Sequence, residues 1–273
     1  MVKKLFKHEI NAYLRVMLPV YICLGGVALL GRLIQLFEAD TTIYALVNGS
    51  SIFVYVISIL VCFGFSTFFS VVRFYKNLFT GEGYLTFTLP VTPTQHLLVK
   101  LLTSILFNFI STIAVWISFM IFTVGDVLNE VTKAFTYLCG KAVQTFAFDE
   151  WLHLSLYLLE FLVCIFLGAC SGVLLYYVCI AIGQLSRKNR ALCAVGVYFG
   201  YYFITQIIGT VLGVLLTVFA TSPVMEKIGE FIEAHTTSFI HILLCSVIII
   251  EVVISFVFFH ITRKIMTKKL NLE

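Results

Sequence analysis

Two carboxylates stand where charge is expensive. Glu160 and Glu251 each lie inside a long apolar run, Leu154–Ile182 and Phe239–Ile261. A charged side chain near the bilayer centre costs about 2.5–3.5 kcal/mol on insertion scales, so such groups face protein or water. One reading makes them a proton- or cation-coupling site, or a polar lining for a transported molecule. The other makes them interhelical hydrogen-bond partners, a frequent use of polar groups in membranes. Arg32, close to the far end of the first apolar run, is the cation that could pair with either, and its depth suits Glu160 better. The remaining candidates for chemistry are weaker. His153, His241 and His260 are scattered with no H-E-x-x-H spacing, and zinc needs closely placed ligands, so no metal site is expected. Gly168-Ala-Cys-Ser-Gly172 has the outline of a G-x-S-x-G elbow with Cys170 in the nucleophile's place. It sits in an apolar helix with no strand before it, which fits helix packing and not an elbow. No catalytic residue and no cofactor are expected.

The elements that position these residues follow from composition. The chain has 273 residues, 60% of them hydrophobic and only 12% charged, against roughly 25% charged in soluble domains. Its mean hydropathy is +1.04. Such a chain cannot cover its own core with polar surface, so lipid must be its solvent. The net charge of +4 does not imply nucleic acid, because the basic residues fall in short clusters between apolar runs. The eight cysteines include no CxxC pair and lie almost entirely within apolar runs, which argues against disulfides and for small buried hydrophobes.

A spanning helix needs about 20 mostly apolar residues. Six runs qualify, at 16–36, 52–72, 97–124, 154–182, 192–220 and 239–261. The expected fold is an all-α integral membrane protein, a single transmembrane domain over 1–273. With the N-terminus inside, the cytoplasmic connections hold fourteen of the eighteen Lys and Arg residues, and only Arg32, Lys133, Lys141 and Lys227 lie outside. This segregation predicts both ends in the cytoplasm. Three amphipathic pieces are expected on the membrane surface. The first is an N-terminal interfacial helix, Val2–Tyr13, whose face Val2, Leu5, Phe6, Glu9, Ile10 and Tyr13 is apolar except for Glu9. The second is an outer helix, Asp126–Leu138, with Asp126 as N-cap and Gly140 just past its end. The third is Val224–Ile232. Gly196, Gly200, Gly209 and Gly213 in the fifth run form two pairs on opposite sides, fit for close packing against neighbours.

The inner loop between the second and third runs reads Arg73-Phe-Tyr-Lys-Asn-Leu-Phe-Thr-Gly-Glu-Gly-Tyr-Leu-Thr-Phe-Thr-Leu-Pro-Val-Thr-Pro-Thr-Gln-His96. Gly81 and Gly83 bracket Glu82 and permit a tight turn. Pro90 and Pro93 stop a helix and push their predecessors towards extended geometry. Tyr84, Leu85, Phe87 and Leu89 are more apolar than a loop facing water requires, which reads as a docking element.

This stretch, closed by Lys100 at the head of the third run, resembles the first cytoplasmic loop of bacterial ABC-2 type transporter permeases, the transmembrane subunits of one class of ABC exporters. The specific likeness covers Arg73–Lys100; the N-terminal helix and the six-span layout match more loosely. The resemblance implies a multi-pass protein of the bacterial plasma membrane in which the loop touches a separate cytoplasmic ATP-binding subunit and two permease subunits, alike or different, build the pathway. On the matching positions it makes Phe79, Gly81, Glu82, Gly83, Tyr84, Leu85 and Pro90 the coupling residues. The chain lacks the large extracellular domain and fused ATPase of bigger members. The residues agree on one point: the sequence has no G-x-x-x-x-G-K-[ST] phosphate loop, so an ATP-driven pump would hydrolyse ATP in a partner and this chain would not itself be an enzyme. An ion-coupled secondary transporter using Glu160 or Glu251, and a non-transporting scaffold or sensor, remain alternatives.

Overall fold

The computed structural model describes residues 2–37, 41–80, 83, 91–145, 148–186, 189–220, 229 and 235–268. All regular structure among them is helical: α1 (Val2–Gln35), α2 (Thr42–Phe79), α3 (Pro93–Thr123), α4 (Asp126–Thr145), α5 (Phe148–Gly183), α6 (Arg190–Ala220) and α7 (Thr236–Lys268). Every helix but α4 is long and apolar enough to cross a membrane. The six expected runs match these six helices, two of them (16–36 and 97–124) ending one residue past the helix, and the helices are longer than the runs. The overshoot is largest in α2, whose 38 residues correspond to about 57 Å at 1.5 Å per residue, well beyond the roughly 30 Å of hydrocarbon.

The N-terminal segment departs from expectation. Val2–Tyr13 is helical, but it is the first part of α1 and not a separate element. The reason is a single buried stripe, Glu9, Tyr13, Met17, Leu24, Ala28 and Gly31, whose steps of three, four and seven keep one face of one helix. The helix even continues through Pro19. The face expected to meet headgroups is turned onto protein at Glu9 and Tyr13. A second departure concerns α4. Its N-cap position is Gly125, whose carbonyl accepts from Asn129 N–H at 2.9 Å, so Asp126 is already helical. Gly125 holds φ +119, a backbone state that favours glycine. The helix also runs through Gly140 to Thr145, because one glycine inside a helix costs only about 1 kcal/mol against alanine. Of the expected helix Val224–Ile232, only Gly229 lies within the described residues.

The chain divides into two compact units, residues 1–76 with 87–146, and residues 77–86 with 147–273. In the first, α1 packs along α3 and α2 joins through side chains. One cluster centres on Leu24, Ala28, Tyr55, Cys62 and Phe122, with Tyr55 stacked on Phe122 at 4.2 Å. Another joins Tyr13, Met17 and Phe107. Polar rungs cross the same interface: Tyr13 to Ser104 at 2.9 Å, Tyr21 to Ser111 at 2.8 Å, Tyr55 to Ser118 at 3.1 Å and Ser66 to Asn108 at 2.9 Å. In the second unit, α5 packs on both α7 and α6. A Cβ at Gly183 would lie 2.7 Å from both the Ala194 Cβ and the Arg190 carbonyl oxygen, so the end of α5 and the start of α6 meet more closely than a side chain allows. The paired glycines of α6 do no such work. A Cβ at Gly196, Gly200, Gly209 or Gly213 would meet nothing within 4 Å, and Gly168 and Gly172 of α5 are equally open.

Candidate functional site

The roots of the inner loop are pinned by one carboxylate. Glu9, on the buried stripe of α1, meets Arg73 Nε at 2.5 Å through Oε2 and Lys100 Nζ at 3.1 Å through Oε1. Arg73 stands in the last third of α2, before the loop, and Lys100 two turns into α3, after it. Glu9 and Lys100 are only 4% and 5% exposed. The Arg73 guanidinium also lies over the Tyr13 ring, 5.8 Å from its centroid, a favourable place for a cation. Tyr13 is one turn beyond Glu9 and shares a hydrogen bond with Ser104, one turn beyond Lys100. Three helices are therefore tied at one depth by charge-assisted bonds, the stronger class of hydrogen bond.

The loop's return into α3 is fixed by a second device. Thr92 is extended, at φ −71 and ψ 150, as the proline after it requires. Its side chain accepts from Gln95 N–H at 3.4 Å, and the Gln95 side chain accepts from Thr92 N–H at 3.0 Å. Pro93 occupies the first helical turn, where its missing N–H costs nothing. It opens α3 instead of only blocking a helix.

Of the expected coupling residues, Phe79 ends α2 and is 2% exposed, and Gly83 N–H donates to the Thr80 carbonyl at 2.7 Å. Gly81, Glu82, Tyr84, Leu85 and Pro90 lie outside the described residues. The intramembrane candidates are placed differently from expectation. Arg32 donates to Gln35 at 3.3 Å and crowds Gly125, where a Cβ would sit 2.7 Å from Nη2. Glu160 takes His241 of α7 as partner, at 2.8 Å, and not Arg32. Glu251 Oε2 is enclosed and has no hydrogen-bond partner among the described residues, as has Ser255 Oγ one turn further. Sequence reasoning noticed Glu9 only as the exception on an apolar face. A single carboxylate on an otherwise apolar helix face was the available signal. It weighed His241 only as a metal ligand and did not join it to Glu160, 81 positions away.

With helix as its only regular structure among the described residues, and six helices of membrane-crossing length and composition, the chain is an all-α, multi-pass membrane protein. No family model matches it. No curated protein matches it either, nor does any solved structure.

Proposed function

We propose that the chain is the transmembrane permease subunit of an ATP-driven exporter in a bacterial plasma membrane, coupled through the inner loop 73–96 to a separate ATP-binding subunit and working with a second permease subunit. The reading rests on the likeness of Arg73–Lys100 to the ABC-2 loop, and one observation carries it further: Glu9 binds both Arg73 and Lys100. A coupling loop must deliver displacement to helices instead of absorbing it. A loop whose two roots are held to α1 by a buried ion cluster moves three helices together when pushed. ATP-driven closure of the partner would then tilt those helices and change access to the pathway.

The test is purification in mild detergent with its co-purifying subunits, followed by reconstitution. An ATP-binding protein is expected to accompany the chain. Glu82→Lys and Tyr84→Ala are expected to insert normally while separating ATP hydrolysis from transport. Transport that runs in vesicles without ATP and collapses with a proton or sodium gradient would overturn the reading, as would wild-type coupling in both variants.

A further inference from the structure

The contact between His241 and Glu160 belongs to a longer chain of groups. α5 and α7 run side by side in the same direction, with partners about eighty positions apart: Tyr157 OH donates to the Thr237 carbonyl at 3.0 Å, and Cys164 Sγ reaches the Leu244 carbonyl at 4.0 Å. His153 and His241 each stand five residues into their helix, and this shared register brings them together. His241 Nδ1 lies 2.8 and 3.0 Å from the two oxygens of Glu160. His241 Nε2 lies 3.1 Å from His153 Nδ1. Tyr157 covers the His241 ring at a centroid distance of 4.3 Å.

With Glu160 taken as ionised, donor counting gives one consistent arrangement of protons. An ionised carboxylate only accepts, so His241 Nδ1 carries a hydrogen. In neutral His241 the Nε2 is then a bare acceptor, and His153 must carry its hydrogen on Nδ1. The chain runs from His153 to His241 to Glu160 with every contact satisfied and a formal charge of −1. Let one proton arrive from water at the free Nε2 of His153. The Nδ1 proton can pass to His241 Nε2, leaving His153 neutral as its other tautomer and His241 an imidazolium against Glu160. No hydrogen bond is lost, and the cluster becomes neutral in a setting where side chains are only about one fifth exposed.

We infer that His153, His241 and Glu160 form a proton-binding site at the end where α5 and α7 begin, one added proton being shared by the two imidazoles and balanced by the carboxylate. Among the described residues, few other titratable groups stand near the cluster. On α5 the facing groups are Tyr157 and Cys164, with Asp149 and Glu150 in its first turn; on α7, Glu251 is ten residues further along and His235 just precedes the helix. α6, which also packs on α5, has no acidic, basic or imidazole side chain beyond Arg190. The inference does not depend on ATP-driven export.

The full chain, labelled with 15N-histidine in lipid nanodiscs, tests it by imidazole nitrogen shifts between about pH 5 and 8, the range in which histidine ordinarily titrates. His153 and His241, assigned through His153→Gln and His241→Gln, are expected to change in one joint step. Glu160→Gln is expected to move that step by about 1 pH unit or more, the mark of interacting sites, and to leave the other four of the six histidines in place. Should a histidine variant fail to insert, the wild-type curve and Glu160→Gln still decide. Separate titrations, each indifferent to the other's substitution, would overturn the inference. So would absence of any step in this range, or stoichiometric zinc uptake that abolishes the step and marks the pair as metal ligands.

Discussion

Glu9 holds two cations, and the loss of each member of the cluster leaves a different remainder. Glu9→Gln takes away the carboxylate that both Arg73 and Lys100 bind, and leaves two like charges together without it, Lys100 almost wholly enclosed. Removing one partner of a buried pair typically costs about 3–5 kcal/mol, because the remaining charge has no compensation. Lys100→Met leaves Glu9 with Arg73 and should cost clearly less. The double variant should be more stable than the two losses summed, since residues in one network are not additive. Thermal unfolding of the three variants in one detergent reads this order, and equal losses from both single variants would contradict the cluster. Part of this was legible in the sequence. Glu9 was visibly out of place on an apolar face, and Arg73 and Lys100 already bounded the loop. Their meeting was not legible, because the contacts span 64 and 91 positions and no local periodicity records such a distance.

Among elements, α3 shows how small polar groups are spent inside a membrane bundle. Ser104, Ser111 and Ser118 recur every seventh residue and face Tyr13, Tyr21 and Tyr55. Ser111 donates its proton to the Phe107 carbonyl and Ser118 donates to the Val115 carbonyl, both at 2.8 Å, so Tyr21 and Tyr55 must be the donors across the gap. Tyr21→Phe then leaves Ser111 still bonded to its own helix. Its expected cost is about 0.6 kcal/mol and no more than about 1.7, the measured span for such bonds. Gly31→Leu should cost more, about 1–3 kcal/mol by overpacking, because any Cβ there collides with the Phe122 ring, and that ring is held by its stack on Tyr55. Unfolding in detergent compares the two, and a Gly31→Leu protein as stable as Tyr21→Phe would refute the packing argument. The spans themselves were readable because length and hydropathy suffice to identify them. The joins were not. Val2–Tyr13 looked like a separate interfacial helix, yet Lys3, Lys4 and Lys7 on the open side of α1 leave its buried stripe intact. Gly140 looked like a stop, yet a glycine without a following capping arrangement does not end a helix.

For the whole molecule, nothing in a uniformly apolar composition marks the division into two units, whose chain crossings fall at 76/77, 86/87 and 146/147. What the charge distribution does predict is which way up the protein sits. Six crossings place both ends on one side, and fourteen of eighteen basic residues then share that side with the 73–96 loop. Inverting the chain would carry those fourteen outward, against the retention of Lys and Arg on the cytoplasmic face. Losing one crossing would scatter them over both faces. A cysteine-free background, with single cysteines at Glu82→Cys and Tyr137→Cys, turns this into a measurement. Tyr137 is a suitable outer reporter because it is 62% exposed on α4, between the third and fourth crossings. A membrane-impermeant maleimide given to intact cells should modify position 137 and spare position 82, and inside-out vesicles should reverse the pattern. Labelling of position 82 from outside would put the loop where no cytoplasmic ATP-binding subunit can reach it, and would overturn the coupling role proposed for it.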